Sequence, residues 1–200
     1  MSTLLKTLIT SCGRPDLLET TLSSLLENQK ERLQIVIHEE KWYTEEFAKK
    51  WKWWVQLGYT GGVGQHNSIA QFVENVQDKY YLHVEDDWEF NNTFNWIKKA
   101  KRILQKNPDI IKVVARGENV HPCQFKDGWG IIEPQDFYGN TWYGWTWNPG
   151  VTRLDLLKQF QIRGVSEKDM DNAIHEAGYK VAYLEGEIYK HIGNERSTRL

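Results

Sequence analysis

Two patterns of apolar and polar residues alternate along the first 115 residues of the chain. Short runs rich in β-branched residues predict strands, and longer stretches with apolar residues at helical spacing predict amphipathic helices. The alternation predicts an α/β fold with a mainly parallel central sheet and helices on both faces. The predicted strands cover residues 4–9, 33–40, 79–84 and 110–115, and the predicted helices begin at Pro15, span residues 66–76 and run from a Thr93 cap to about Gln105.

The pattern changes after residue 115. Residues 116–150 are rich in Gly, Pro and aromatic residues and have no helical period. Helices are predicted to begin at Thr152 and Ser166, and the segments "YKVAYL" and "EIYKHIG" predict two late strands. A chain of 200 residues without an internal repeat or linker predicts one domain, residues 1–200.

Charge, hydropathy and cysteine spacing argue against several classes of function. The formal net charge is −2 and the basic residues are scattered, which argues against a nucleic-acid partner. The longest apolar run is Val181 to Leu184, and the N-terminus becomes polar too early for a signal peptide, so we expect no membrane span and a cytoplasmic location. The two cysteines lack the spacing of a zinc site or a disulfide framework.

Tryptophan is unusually frequent, with ten residues in the chain. A single Trp is most simply a core residue. The Gly-spaced group Trp142, Trp145 and Trp147 in "WYGWTWNPG" is more typical of a wall on which a sugar ring stacks.

Three predicted strands end in polar clusters, and the topology places those ends on one edge of the sheet, where open α/β sheets bind ligands. In the last cluster three adjacent carboxylates repel one another unless a cation or hydrogen-bond donors compensate. A hard divalent ion such as Mg²⁺ or Mn²⁺ suits this cluster, while a solvated acidic turn is the alternative. The clusters are Thr10-Ser11, His38-Glu39 and Glu85-Asp86-Asp87.

Six segments in a fixed order resemble the family-2-like glycosyltransferases of the GT-A fold, particularly small bacterial and large-DNA-virus enzymes, some of which act on capsid glycans. The resemblance covers essentially the whole chain and implies a Rossmann-like nucleotide-diphospho-sugar transferase. It implies a nucleotide-binding half at about 1–115 and an acceptor-binding half at about 116–200, with a fragment of a longer chain as an alternative to a complete one. The segments are "TLITSCGRPDLLETTLSSL", "GQHNSIAQF", "YYLHVEDDWEF", "WYGWTWNPG", "SEKDMDNAIHEAGYKVAYL" and "YKHIGNERS".

The resemblance implies roles for individual residues. Asp87 and His191 correspond to metal ligands, with Arg196 and Ser197 placed to hold a diphosphate. Glu85 stands where the family has an Asp that faces the nucleotide. The residues that correspond to nucleotide contacts are Thr10, Ser11, Arg14, Glu39, Gln65, Asn67, Glu85 and Asp86.

The resemblance also implies a catalytic base near the start of the helix that ends at Gly178. The family's spacing to that glycine selects Glu167, and Asp169 is the second choice. The alternative for both acids is helix capping, because Ser166 followed by acids is what a helix N-terminus favours without any catalysis.

The function implied is metal-dependent transfer of a hexosyl or deoxyhexosyl group from a nucleotide-diphosphate sugar, with UDP favoured, to a glycan or glycoprotein hydroxyl with inversion. Mn²⁺ or Mg²⁺ is the implied cofactor. A noncatalytic carbohydrate- or nucleotide-binding module on the same fold is the alternative. A dinucleotide-dependent dehydrogenase is disfavoured, because "GGVGQHN" lacks the third glycine and comes too late in the chain.

Overall fold

The structure is a computed structural model that describes residues 4–41, 43–91, 94–115, 123–137 and 139–193. Strands and helices alternate through the first half, as predicted. In chain order the elements are β1 Leu5–Ser11, α1 Pro15–Asn28, β2 Leu33–Glu39, α2 Glu45–Trp51, β3 Val55–Tyr59, α3 Gln65–Asn75, β4 Tyr80–Glu85, β5 Trp88–Phe90, α4 Trp96–Lys106, β6 Ile110–Val114, β7 Trp129–Ile131, β8 Gln135–Phe137, β9 Asn140–Trp142, β10 Gly150–Arg153, α5 Leu154–Leu157, α6 Glu167–Glu176, β11 Lys180–Leu184 and β12 Tyr189–His191.

Eight strands form the main sheet in the order β3-β2-β1-β4-β10-β6-β11-β7. The expected mainly parallel sheet is confirmed, since only β10 and β7 run against the others. The helix predicted to begin at Thr152 is wrong: Thr152 lies in β10, paired with Tyr81 on one side and Lys112 on the other. Two strand partners satisfy its backbone there, and only the single turn of α5 follows.

The sheet separates two hydrophobic cores. Buried residues of α1, α2 and α4 pack in one core, and buried residues of α3, α5 and α6 pack in the other. Helices therefore cover both faces, as expected. Trp145 and Trp147 belong to the second core, packed with the side chains of α6.

Caps explain where two helices begin. The side chain of Ser166 accepts the backbone N–H of Asp169, so α6 starts where the sequence predicts. The expected cap of α4, Thr93, lies outside the described residues, and within them the side chain of Asn95 accepts the Lys98 N–H at 3.0 Å. Strand β3 was not expected from the Trp-rich sequence before it.

One edge of the sheet collects the polar strand ends. Strands β1, β2 and β4 are parallel neighbours, with Ser11 opposite Glu39 and Thr10 opposite Glu85. Strand β12 pairs with β5 outside the main sheet and places His191 opposite Trp88. The late part of the chain therefore returns to the acidic cluster. Among the described residues, no helix is long and apolar enough to cross a membrane.

Candidate active site

A cavity of about 450 Å³ opens at the carboxyl ends of β1, β2 and β4. Its position is where open α/β sheets bind ligands. The lining is mostly polar and includes six of the eight residues expected to contact a nucleotide and both expected metal ligands. The lining residues are Thr10, Ser11, Cys12, Arg14, His38, Glu40, Gln65, Ser68, Glu85, Asp86, Asp87, Trp88, Asn148 and His191.

The middle acid of the cluster, Asp86, is tied to the loop that follows β1. Arg14 pairs with its carboxylate, and the Ser11 hydroxyl and the Cys12 N–H approach one oxygen at 2.9 and 3.3 Å. Burial raises the pKa of Asp86 above its ordinary value, while the Arg14 guanidinium acts in the opposite direction. Protein donors reach both oxygens, so Asp86 anchors Arg14 and the loop, and its contact with a nucleotide stays a prediction.

The last acid, Asp87, is placed differently. Its Oδ2 atom lies 3.0 Å from Nη1 of Arg14 and 3.2 Å from Nε2 of His191. Its Oδ1 atom is buried and has no hydrogen-bond partner within the described part of the chain. A buried carboxylate oxygen without a donor is unfavourable, so this atom is suited to a cation.

The residues at Asp87 fit a divalent ion of the Mg²⁺ or Mn²⁺ type. Such ions take one or two protein ligands and complete their coordination with waters and phosphate oxygens. Asp87 and His191 supply an oxygen and a nitrogen donor side by side. No group of three or more potential metal ligands occurs in the residues that the structure describes.

The first acid, Glu85, accepts hydrogen bonds from two uncharged side chains. Nε2 of Gln65 donates to one oxygen at 2.7 Å, and Nε1 of Trp88 donates to the other at 3.1 Å. Burial, followed by the charge of Asp87, raises the pKa of Glu85. Gln65 and Glu85 thus meet at the cavity, and their contact with a nucleotide stays a prediction.

Glu39, an expected nucleotide contact, lies at the end of β2. Glu39 accepts the Gly13 N–H at 2.7 Å, the Lys41 N–H at 3.0 Å and the Ser11 hydroxyl at 2.6 Å. Its carboxylate faces the loops and does not line the cavity. The neighbouring Glu40 lines it instead, and burial raises the pKa of this acid.

Asn67, another expected nucleotide contact, lies at the start of α3. Asn67 donates to the carbonyl of Val63 at 2.7 Å and is not among the lining residues. Ser68 lines the cavity, and its carbonyl lies 3.1 Å from Nδ1 of His38. Burial lowers the pKa of His38, so the neutral ring donates Nδ1–H to this carbonyl.

A buried histidine links the cavity to the Trp-rich segment. Nδ1 of His83 lies 2.6 Å from the Trp147 carbonyl, and Nε2 lies 3.2 Å from the Thr10 hydroxyl. Burial, helped by the nearby Lys112 ammonium, lowers the pKa of His83 to about 3. The ring is therefore neutral, and since a carbonyl only accepts, Nδ1 carries the proton and Nε2 accepts from Thr10. The lone pairs of the Thr10 oxygen remain for a ligand.

The predicted tryptophan wall is wrong for two of its three members. Trp145 is fully buried and Trp147 is 2% exposed, so neither offers a ring face to a sugar. Their rings meet edge to face at 5.0 Å in the core beneath the cavity. Trp142 is partly exposed and donates Nε1–H to the Trp145 carbonyl at 2.8 Å.

The two candidate bases occupy different environments. Asp169 is exposed, and its carboxylate accepts the Ser166 hydroxyl at 2.6 Å in a local capping arrangement. Glu167 is partly buried, accepts the Trp147 N–H at 2.9 Å and lies close enough to Glu85 to raise the pKa of that acid. Glu167 contacts the Trp147 backbone and Asp169 does not, and neither acid is among the residues that line the cavity.

Two buried charged residues were not expected. Lys112 in β6 contacts the Thr146 carbonyl, and Asp171 in α6 accepts the N–H groups of Tyr143 and Trp145 at 2.8 and 2.9 Å. A lysine inside the apolar run "IIKVV" is the sequence signal for the first. The expected diphosphate residues Arg196 and Ser197 lie outside the described residues.

Comparisons with known proteins find likeness in structure. No family model and no curated protein sequence matches the chain. Among solved structures, S. aureus TarS 1-349 is similar with a TM-score of 0.64 and 14% identity, over 96% of this chain and 61% of that one. The mannosyltransferase PcManGT from Pyrobaculum calidifontis, in complex with GDP-Man and Mn²⁺, has a TM-score of 0.67 and 14% identity, over 96% and 58%.

Further similar structures carry nucleotides. S. aureus TarS 1-349 in complex with UDP-GlcNAc has a TM-score of 0.64, with 13% identity over 94% of this chain and 58% of that one. CMP:2-keto-3-deoxy-manno-octonic acid synthetase complexed with CTP has a TM-score of 0.60, with 7% identity over 94% and 91%. The chain spans about 60% of the TarS and mannosyltransferase chains. At these identities the likeness shows the fold, and it confirms the predicted GT-A architecture.

Proposed function

We propose that the chain transfers a sugar from a nucleotide-diphosphate donor, with a UDP-sugar favoured, to a hydroxyl of a glycan. The observation that carries the proposal is the Oδ1 atom of Asp87, which is buried and has no hydrogen-bond partner within the described residues. This carboxylate lies beside Arg14 and His191 at the carboxyl edge of the sheet. The nucleotide-bound structures of similar fold support the same class of ligand. In this proposal residues 1–115 bind the donor and residues 116–200 bind the acceptor.

The donor side of the site has groups for each part of a nucleotide. The Thr10 oxygen and the Glu85 carboxylate accept hydrogen bonds from the ribose or base, and Gln65 orients Glu85. Asp87 and His191 would hold a Mn²⁺ or Mg²⁺ ion next to the diphosphate. The bound ion supplies positive charge that stabilises the departing diphosphate. Arg196 and Ser197 are proposed to contact the same group.

The acceptor side depends on Glu167. Its carboxylate, held by the Trp147 N–H, takes the proton of the attacking hydroxyl as a general base. A base on the face opposite the departing diphosphate gives a single displacement with inversion of the anomeric carbon. Trp142, the partly exposed member of the tryptophan group, is the proposed contact for the acceptor sugar.

The proposal is tested by calorimetric titration of UDP, GDP and dTDP with and without Mn²⁺. We expect one nucleotide to bind with Mn²⁺ dependence, and Asp87→Asn to abolish that dependence. Asp169→Asn is the matched control, because it removes the same charge from an exposed carboxylate outside the cavity. No binding of any of the three nucleotides under either condition would refute the donor assignment.

Hydrolysis of the donor distinguishes the enzyme from the noncatalytic binding module. An active transferase site releases nucleotide slowly from UDP-GlcNAc or GDP-mannose when no acceptor is present. Metal-dependent nucleotide binding without hydrolysis and without transfer to any glycan tested would favour the binding module.

A further inference from the structure

Three buried charged or polar side chains hold the backbone of residues 143–147, which form no helix or strand. Asp171 from α6 accepts the N–H groups of Tyr143 and Trp145 at 2.8 and 2.9 Å. Lys112 from β6 donates to the Thr146 carbonyl, and His83 from β4 donates to the Trp147 carbonyl at 2.6 Å. The three side chains are at most 1% exposed. The segment is therefore fixed by side chains from three elements that are distant in sequence.

The same segment holds the proposed base. The one backbone N–H of Trp147 donates to Oε2 of Glu167 at 2.9 Å. The carbonyl of Thr146 belongs to the same peptide group as this N–H, so the contact from Lys112 and the contact to Glu167 share one rigid plane. A shift of that plane moves the donor that orients the carboxylate.

Lys112 is an unfavourable choice for the fold alone. A buried ammonium loses its hydration, and well-packed apolar residues are often at least as stable in such places. Gly150 leaves room for the Lys112 side chain, because a Cβ at position 150 would lie only 2.7 Å from Cε of Lys112. Its Nζ lies 5.1 Å from the ring centre of Trp145 and 5.8 Å from that of Trp147. Since the fold alone does not favour a buried lysine here, Lys112 indicates a role in the neighbouring site at residues 143–147.

The charges around Lys112 come from two elements. Glu167 of α6 and Glu85 of β4 favour its charged form, and the His83 ring of β4 is neutral. Burial is the larger influence and lowers the pKa of Lys112 to about 7. Glu167 in turn faces Lys112, Glu85 and the buried hydroxyl of Tyr183.

We propose that Lys112 is a positioning residue for Glu167: it fixes the Thr146–Trp147 peptide group that orients the carboxylate. This inference rests on the proposed function, since it gives Glu167 the role of base. Lys112 touches neither donor nor acceptor, because it lies beneath Trp145 and Trp147. Its loss thus affects the reaction step and leaves nucleotide binding unchanged.

The first test does not depend on activity. The backbone amide of Trp147 is followed by ¹⁵N NMR in the wild type, in Lys112→Met and in Thr152→Val, a substitution in the adjacent strand position at the same depth. We expect the Trp147 amide to shift and to exchange roughly tenfold faster in Lys112→Met, as for an amide whose hydrogen bond is weakened. An unchanged Trp147 amide in a folded Lys112→Met protein would overturn the proposal.

A second measurement covers the case in which Lys112→Met does not fold. In the wild type, the ¹³C shift of the Thr146 carbonyl is recorded from pH 5 to pH 9. Loss of the ammonium charge in this range should move the carbonyl and the Trp147 amide together with one midpoint. Two signals that titrate apart, or a carbonyl that does not move, would contradict the shared peptide group as the link.

The activity test separates this inference from the proposed function. We expect Lys112→Met to lower kcat by about a hundredfold, as for a displacement of about 1 Å at a catalytic group, with the Kd for nucleotide within twofold of wild type. Normal kcat in this variant would refute the role of Lys112 and would leave the proposed function unaffected. A wild type without hydrolysis or transfer would refute the proposed function, and the NMR result would then decide on Lys112 by itself.

Discussion

Gly193→Ala is the sharpest test of the Asp87 site, because the added atom has one main neighbour. A Cβ at this position would lie 2.4 Å from Oδ2, 2.7 Å from Cβ and 2.9 Å from Cγ of Asp87. The backbone φ of Gly193 is not in the left-handed region, so the cost is steric. The chain also resists a shift here, since the Ile192 N–H donates to the Asp87 carbonyl at 2.9 Å.

The magnitude follows from these distances. To bring the 2.4 Å approach to the 3.4 Å of an ordinary contact, the carboxylate or the chain must move by 1.0 Å, the difference between the two distances. Such a displacement breaks the contacts of Oδ2 with Arg14 and His191. Overpacking of this kind costs about 1–3 kcal/mol. If that cost falls on the ion-binding geometry, the Mn²⁺-dependent part of nucleotide affinity decreases roughly 5- to 150-fold.

The assay is calorimetric titration of the bound nucleotide at saturating Mn²⁺ and without the ion. Gly58→Ala is the matched control: it also adds one methyl near the cavity, but its nearest neighbours, in His38 and Ile37, lie at 3.4 Å. We expect the control to keep the full effect of Mn²⁺. A folded Gly193→Ala protein with wild-type Mn²⁺ dependence would show that Asp87 does not hold the ion, whatever nucleotide binds.

Two further predictions concern the base and the buried histidine. Glu167→Gln should lower kcat by about 10²- to 10⁴-fold with nucleotide affinity retained. Asp169→Asn should retain kcat and cost about 0.3–1 kcal/mol in the free energy of unfolding, because it removes a negative charge from the first turn of α6 while the Ser166 cap remains. The opposite pattern in kinetics and denaturant unfolding would make Asp169 the base. His83 has a folded pKa of about 3, below its ordinary 6.5, so the unfolded chain binds the extra proton and stability is lost as the pH falls from 6.5 towards 3. The loss should approach about 1.4 kcal/mol per pH unit, and His83→Asn should flatten this part of the curve of unfolding free energy against pH; an identical slope in the variant would show that His83 is not the group that titrates.

The sequence predicted those features that depend on local pattern. Polar residues at the ends of β1, β2 and β4 were sufficient to place the cavity, because parallel strands bring their carboxyl ends to one edge. The Ser166 cap was also a local signal, and α6 begins as expected. These features need no knowledge of tertiary packing.

Other features depend on which way a side chain points. Successive residues at a strand end face opposite directions, so "HEE" alone does not show that Glu39 turns to the loops and Glu40 to the cavity. The same limit applies to tryptophan, which is large enough for a core and polar enough for a binding wall. Only the packing against α6 places Trp145 in the core.

The antiparallel strand β10 explains how the two halves of the site meet. Strands β4 and β6 both end at the cavity edge, and β10 lies between them in the opposite direction. The chain that leads into β10 must therefore cross this edge, with His83 on one side and Lys112 on the other. A parallel strand in this place would enter from the far edge of the sheet and could not present residues 143–147 to the cavity. Because a helix was predicted at Thr152, the antiparallel strand was not expected. The contacts that His83 and Lys112 make with the segment before it, from within two apolar strands, could therefore not be predicted either.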